Sequence, residues 1–197
     1  MKLVSETKSP LTREDWLIVA IQTLFESGIG SISVVQLANT MGVTRGSFYH
    51  HFSDREDLLC AMLDHWEKKW TVEVREKVSA LELSPVETLR ALIRFIRERK
   101  AAAFDAPFRA WALHDPLARR TLERVDSFRL AFIKHQFEAA GFIGLDAENR
   151  ARMLLYYEMS DPAFFATQNP ETETQLIDAR LMLLLEKPDP QTFVPAT

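Results

Sequence analysis

The chain has 197 residues, of which 47% are hydrophobic and 26% are charged, and its formal net charge is −4. This composition is ordinary for a globular protein of one or two domains. Because its net charge is negative, the chain as a whole is not attracted to DNA. No apolar run approaches the roughly 20 residues of a membrane span, and the N-terminus lacks the apolar core of a signal peptide. We therefore expect no membrane contact and a cytoplasmic location, which the single cysteine, Cys60, also favours.

The small number of glycines and of alternating apolar runs favours an all-α fold. Thr12, followed by two acidic residues, predicts the start of a first helix, and Gly28 predicts its end. Ile18 and Phe25 lie off the apolar stripe of this helix. The stripe itself, at helical spacing, consists of Trp16, Leu17, Ala20, Ile21 and Leu24.

The stretch 34–52, VVQLANTMGVTRGSFYHHF, predicts two short helices joined by a tight turn. Gly42 offers the left-handed conformation of such a turn, and Ala38 is small enough for two helices to approach closely. Ser33 is placed to cap the first of these helices. An apolar seam at helical spacing consists of Val34, Leu37, Met41, Val43 and Phe48. The pattern is typical of a helix-turn-helix, whose second helix enters the major groove of DNA.

The charge of this region is low for a DNA-binding surface. Residues 31–53 contain one arginine, Arg45, and no Asp or Glu. Lys2, Lys8, Arg13 and Arg55 lie on the flanks, where they are placed to add phosphate contacts. We therefore expect one copy of this DNA-binding region, the head, to bind DNA with modest affinity, so that two copies are needed.

A long helix is predicted after the motif, because residues 53–57 have the pattern of a helix start and apolar residues at helical spacing continue to about residue 79. A helix of about 25 residues is about 40 Å long, enough to link the head to a second domain. Ser84 and Pro85 predict the start of the next helix. Further helical segments are predicted at 89–100, 104–113, 117–140, 147–166 and 169–187, followed by a loose tail at 188–197.

From about residue 12 to residue 66 the chain resembles the TetR family of bacterial transcriptional regulators. The resemblance depends on the glycine after the first helix, on the segments VVQLANTMGV and TRGSFYHHF, and on Arg55, Leu58 and Leu59. It implies an N-terminal three-helix DNA-binding domain at 10–70. A long helix would join this domain to a larger helical domain for ligand binding and dimerisation at 71–190.

By position, the resemblance implies two kinds of DNA contact. Base edges would be read by Thr44, Arg45 and Ser47, and the fork of Arg45 suits guanine. Gly46 would let the backbone approach DNA closely. Phosphates would be held by Ser33, Tyr49, His50, His51 and Arg55.

Some of these residues have a purely structural alternative. Thr44 could serve only as a helix N-cap, and Tyr49 could pack inside the head. His50 and His51, as neighbours on a helix, point about 100° apart, so we expect no shared metal ion.

The second half of the chain is rich in aromatic residues, which either form an ordinary core or line a mostly apolar pocket. Candidate pocket residues are Phe104, Phe108, Trp111, His114, Phe132, His135 and Tyr157, with Arg109 and Glu158 as further polar groups. No catalytic, cofactor-binding or metal-binding motif occurs, so we expect no cofactor, no metal and no enzymatic activity. A helical enzyme that uses His114 or His135 with an acid is the remoter alternative.

The resemblance thus implies a ligand-responsive transcriptional regulator, in this family most often a repressor, that binds a near-palindromic double-stranded DNA operator as a homodimer. Its effector would be a small, largely apolar molecule. The last two helices would pair with their copies through Leu154, Leu155, Leu176, Leu181, Leu184 and Leu185. The alternative is an orphan small-molecule binding module with weak DNA affinity. The sequence leaves open the operator, the effector, and repression or activation.

Overall fold

The computed structural model describes residues 11–160 and 169–187, and the regular structure within these ranges is helical, with no strand. The predicted all-α fold class is confirmed. The helices are α1 (Arg13–Ser27), α2 (Val34–Met41), α3 (Arg45–Tyr49), α4 (Arg55–Glu67), α5 (Glu73–Ser79), α6 (Pro85–Glu98), α7 (Ala101–Ala112), α8 (Pro116–Ala139), α9 (Gly144–Met159) and α10 (Pro170–Leu185). The predicted tail and the end of the predicted helix 147–166 lie outside the described residues.

The contacts of the chain divide it into two units. The first unit combines Met1–Lys68 with Pro107–Thr121, and the second combines Lys69–Ala106 with Leu122–Thr197. The domains expected from the sequence, 10–70 and 71–190, differ from these units chiefly in the placement of 107–121.

Helix α1 begins and packs as its sequence predicts. The Thr12 hydroxyl accepts a hydrogen bond from the Asp15 backbone at 3.2 Å, and the Asp15 carboxylate accepts one from the Thr12 backbone at 2.7 Å. The Asp15 carboxylate also accepts a hydrogen bond from the Thr12 hydroxyl, and the two hydrogen bonds that it accepts lower its pKa. Ile18 and Phe25, which lie off the apolar stripe, are exposed. The buried face consists of the predicted Trp16, Leu17, Ala20, Ile21 and Leu24.

Aromatic rings form the core of the first unit. Phe48 packs edge-on against Trp16 and stacks on Phe52, each at 5.3 Å between ring centroids. Trp66 stacks on Phe108 at 4.9 Å. Because these rings are buried, they fix α3 on α1 and close the core on the side of α4.

The long helix predicted after residue 53 forms, but it contains an irregular turn. Residues Lys68–Val72 between α4 and α5 are a π-helix, in which the backbone hydrogen bonds span one residue more than in an α-helix. Thr71 in this turn is buried. Such turns occur often at functional sites.

The second unit has an apolar core enclosed by α5, α6, α8, α9 and α10. Helix α6 begins as predicted, with Ser84 as its N-cap and Pro85 in its first turn. Four of the leucines predicted to pair with a second copy lie in this core instead, namely Leu154, Leu155, Leu181 and Leu184. Among the described residues, no helix combines the length and apolar character that crossing a membrane requires.

A buried carboxylate ties three helices of this unit together. Glu158 of α9 accepts a hydrogen bond from Arg97 of α6 at 2.7 Å and another from Arg180 of α10 at 2.5 Å. Burial raises the pKa of the Glu158 carboxyl, and the two arginines oppose that effect. The charge of this glutamate is therefore paired with two arginines of the same unit.

Candidate DNA-binding surface and ligand cavity

The turn between α2 and α3 has the predicted geometry. Gly42 adopts φ 68° and ψ 34°, in the left-handed region. The Val43 backbone N–H donates to the Ala38 carbonyl at 3.0 Å, and Ala38 is buried. At the other end of α2, the Ser33 hydroxyl accepts a hydrogen bond from the Gln36 backbone at 3.2 Å. The two helices thus form a helix-turn-helix.

Helix α3 has one buried anchor and a polar outer face. Phe48 is fully buried, whereas Tyr49 is 60% exposed and does not pack inside the head. Thr44 occupies the N-cap position, but its hydroxyl makes no capping hydrogen bond. Thr44, Arg45, Gly46 and His50 are exposed, and Ser47 and His51 are half-buried. The candidate DNA contacts of this segment therefore lie on or beside one accessible surface.

The flanking arginines have contacts inside the first unit. Arg55 donates through Nε to the Ile32 carbonyl at 2.6 Å and through Nη2 to the Ile29 carbonyl at 3.3 Å. Arg13 lies over the Phe52 ring at 4.4 Å and pairs with Asp57 at 3.4 Å. Both side chains thus brace the head, in addition to the phosphate role expected for them.

Lys2 and Lys8, the other cations expected to contact phosphates, lie outside the described residues. Cys60 is half-buried, and burial raises the pKa of its thiol, which disfavours the reactive thiolate. Within the described ranges, no group of three His, Cys, Asp or Glu side chains is placed to hold a metal ion.

The second unit contains a mostly apolar cavity that is partly open to solvent. Apolar side chains of α5, α6, α8 and α9 form most of its wall, and the π turn contributes Trp70 and Thr71. The lining residues are Trp70, Thr71, Val74, Arg75, Leu92, Phe95, Ile96, Ala101, Phe128, Arg129, Phe132, Ile133, Leu155 and Met159. The apolar character of this lining suits a small, largely apolar ligand.

The inner polar group of the cavity is Arg129. Its Nη2 donates to the Trp70 carbonyl at 3.0 Å and to the Asp105 carboxylate at 3.2 Å, and its Nη1 contacts the same carboxylate. Its Nε donates to the Thr71 hydroxyl at 3.0 Å. Asp105 is fully buried. Arg129 thus holds the π turn against the cavity wall, with its charge balanced by Asp105.

The structure does not bring the predicted pocket residues together. Phe132 lines the cavity, and Phe104 stacks on the lining residue Trp70 at 4.2 Å. Tyr157 lies under the guanidinium of Arg180 at 3.9 Å. His135 is exposed on α8, and in the first unit Phe108 and Trp111 are core residues while His114 is exposed.

The missed lining residues had a signal in the sequence. The missed residues Phe128, Arg129 and Ile133 recur at helical spacing with the predicted Phe132 and so share one face of α8. This face pairs two aromatic rings with a cation. The helical spacing of Phe128 and Arg129 from Phe132 is the signal in the sequence for this face.

The outer faces of α9 and α10 carry large apolar side chains that the fold leaves exposed. On α10, Met182 is 73% and Leu183 is 67% exposed. Leu176, one of the predicted interface residues, is also exposed on this helix, and Met153 and Tyr156 are exposed on α9. The predicted Leu185 is half-buried. These exposed side chains make the outer faces of α9 and α10 candidates for an interaction surface.

Comparisons with known proteins agree on the family of the first unit. The model of the N-terminal domain of bacterial regulatory proteins of the TetR family matches residues 17–62. The HTH-type transcriptional regulator BetI of Pseudomonas aeruginosa is 30% identical over 127 residues, which make up 61% of this chain and 64% of BetI. The HTH-type transcriptional repressor AcnR of Corynebacterium diphtheriae is 32% identical over 141 residues, or 69% of this chain and 63% of AcnR. The chain spans less than two thirds of these relatives.

Solved structures share the fold over most of the chain. A transcriptional regulator from Rhodococcus sp. Rha1 has a TM-score of 0.68 at 20% identity, covering 89% of this chain and 96% of that one. The ketosteroid transcriptional regulator KstR2 of Mycobacterium tuberculosis has a TM-score of 0.61 at 17% identity, covering 90% and 95%. The family model and the helix-turn-helix geometry thus identify residues 17–62 as a TetR-type N-terminal domain, and the solved structures show that the chain shares their fold.

Proposed function

We propose that this protein is a ligand-responsive transcriptional regulator that represses its target genes by binding DNA as a homodimer. The observation that carries this proposal is the polar, accessible face of α3, held in place by the buried Phe48 and by the turn at Gly42. A rigid helix with an exposed polar face after such a turn is what major-groove recognition requires. BetI and AcnR, which match this part of the chain, are named as transcriptional regulators.

In this proposal, Arg45 reads a guanine and Thr44 and Ser47 contact neighbouring base edges. The Thr44 hydroxyl supports this role because it is not engaged in capping α3. Phosphates are bound by Ser33, Tyr49, His50, His51 and Arg55. The exposed phenol of Tyr49 is well placed for a backbone contact, which positions the helix without reading the sequence.

Two copies are needed because one head carries little positive charge. The exposed apolar faces of α9 and α10 support pairing with a second copy, through Met153, Tyr156, Leu176, Met182 and Leu183 rather than the buried leucines. Burial of these side chains would supply the free energy of association. Two heads would then read half-sites about 34–36 Å apart on a near-palindromic operator.

The effector, a small and largely apolar molecule, would bind in the cavity of the second unit. The effector can shift the equilibrium between the DNA-binding state and the released state only by the difference between its binding free energies for these two states. An effector bound beside the π turn contacts the segment that leads from α4 into α5, through Trp70 and Thr71. A small change in that segment would then alter DNA affinity without a large rearrangement.

Selection of bound fragments from genomic DNA by the purified protein tests this function. We expect enrichment of a near-palindromic site, and binding that weakens steeply as salt concentration rises. Arg45→Ala should lose about tenfold to hundredfold in preference for one base position in each half-site. Arg120→Ala removes an exposed arginine elsewhere in the first unit and should keep the preference.

A well-folded protein that enriches no sequence would overturn the regulator proposal. If the same protein still binds small apolar molecules, the orphan binding module becomes the better description. Transcription from a promoter that contains the selected site then distinguishes repression from activation.

A further inference from the structure

The inside of the cavity offers no unbalanced charge to a ligand. Arg129 is the charged group of its inner wall, and the two terminal nitrogens of Arg129 contact the buried carboxylate of Asp105. Its Nε is used by the Thr71 hydroxyl. A ligand group placed beside Arg129 would therefore meet a neutral ion pair whose hydrogen bonds are already made. The body of the ligand must be apolar, because an unpaired polar group is costly to bury.

The exposed lining residue Arg75 has different surroundings. Its guanidinium lies over the face of Phe128 at 4.5 Å, so the ring orients it beside the cavity. In the described part of the chain, no carboxylate lies within 4.0 Å of this guanidinium. Arg75 therefore supplies an oriented positive charge that the fold itself does not neutralise.

We propose that the cavity selects an apolar molecule with a single anionic head group, a carboxylate or its equivalent, and that Arg75 binds this head group. The apolar body would lie against Phe95, Phe132 and Leu155, and the anion would remain near the opening. There the guanidinium can donate two parallel hydrogen bonds to it. The inference rests on the proposed ligand-binding function and adds the chemical class of the ligand and a specificity residue.

A matched pair of probes tests the inference on the full-length protein. Octanoate and octanamide have the same chain length and differ in head-group charge at neutral pH. Titration by calorimetry gives both affinities, and tryptophan fluorescence, to which the lining residue Trp70 contributes, is a second signal. We expect octanoate to bind at least about tenfold more tightly than octanamide, since charge-assisted hydrogen bonds are the stronger ones.

Two variants assign the effect to Arg75. Arg75→Gln keeps a polar side chain of similar length and should remove the preference for octanoate, with little change in octanamide binding. Arg94→Gln alters an exposed arginine of α6 that does not line the cavity and should leave the preference intact.

The outcomes separate the inference from the proposed function. Equal binding of the two probes by the wild-type protein, or a preference that survives in Arg75→Gln, would overturn the role of Arg75 while leaving an apolar ligand cavity. If neither probe binds at any soluble concentration, both the anionic-ligand inference and the proposed apolar effector site fail.

Discussion

Arg129 and Asp105 form a two-pronged ion pair between α8 and α7, with the carboxylate fully buried. Burying two charges is costly, and their attraction repays the cost only while both are present. The same arginine holds the Trp70 carbonyl. The pair therefore couples the packing of the second unit to the shape of the cavity wall.

Removing one member of this pair should be severe. Asp105→Ala leaves the Arg129 charge without its main partner, and we expect a loss of about 3–5 kcal/mol in the free energy of unfolding by urea. The double variant Asp105→Leu with Arg129→Met replaces both charges by apolar groups and should recover most of that loss. A double variant that is no more stable than Asp105→Ala would show that uncompensated charge is not the cause.

Alanine substitutions at Gly42 and Gly30 test the turn between α2 and α3, because the two positions differ in backbone conformation and not in the space around them. A methyl group added at either glycine meets no atom within 4 Å, but only Gly42 has a positive φ. Gly42→Ala should cost about 1–2 kcal/mol, the penalty of the left-handed conformation for an L-residue. Gly30→Ala should stay within about 0.5 kcal/mol of wild type. Thermal unfolding of both proteins measures the difference, and equal stabilities would contradict the role given to the turn.

Gly46 allows DNA binding to be separated from folding. A methyl group there would lie 3.6 Å from the Thr44 hydroxyl oxygen, an ordinary contact, so Gly46→Ala should fold at least as stably as wild type. If the α3 backbone lies close against DNA, the same variant should bind the operator more weakly. Stability is read from thermal unfolding and affinity from fluorescence anisotropy. Unchanged operator affinity would contradict the close approach.

The interface prediction is tested by two substitutions at equally exposed positions. Met182→Lys places a charge on the outer face of α10, which is 73% exposed at this residue, and should weaken the dimer at least about tenfold because a lysine cannot be buried unpaired. Leu113→Lys, at a position 68% exposed in the first unit, should leave association unchanged. Sedimentation equilibrium gives both constants. A wild-type monomer at all concentrations, or equal effects of the two variants, would rule out this interface.

The helix-turn-helix could be predicted because its determinants are local. The left-handed glycine at Gly42, the cap at Ser33 and the anchor at Phe48 each act within a few residues along the chain. Helical spacing also identified the whole buried stripe of α1. Such signals can be recognised in a single sequence because the residues that begin and end a helix are close to it along the chain.

The cavity and the outer face could not be predicted in the same way. Periodicity shows that a helix has an apolar face, but it does not show which neighbour covers it. Leu181 and Met182 are adjacent apolar residues, yet Leu181 is buried in the core and Met182 is exposed. Likewise, the contact between Arg129 and Thr71 joins residues 58 positions apart. Only tertiary packing decides these outcomes.

Helix α9 has one face on the cavity and another face exposed on the surface. Leu155 and Met159 line the cavity, and Met153 and Tyr156 are exposed on the outside. If two copies meet over that outside face, ligand and partner act on opposite sides of one rigid element. Thermodynamic linkage is reciprocal, so a ligand that strengthens association must itself bind the dimer more tightly than the monomer. The concentration of the protein would then set the sensitivity of the switch.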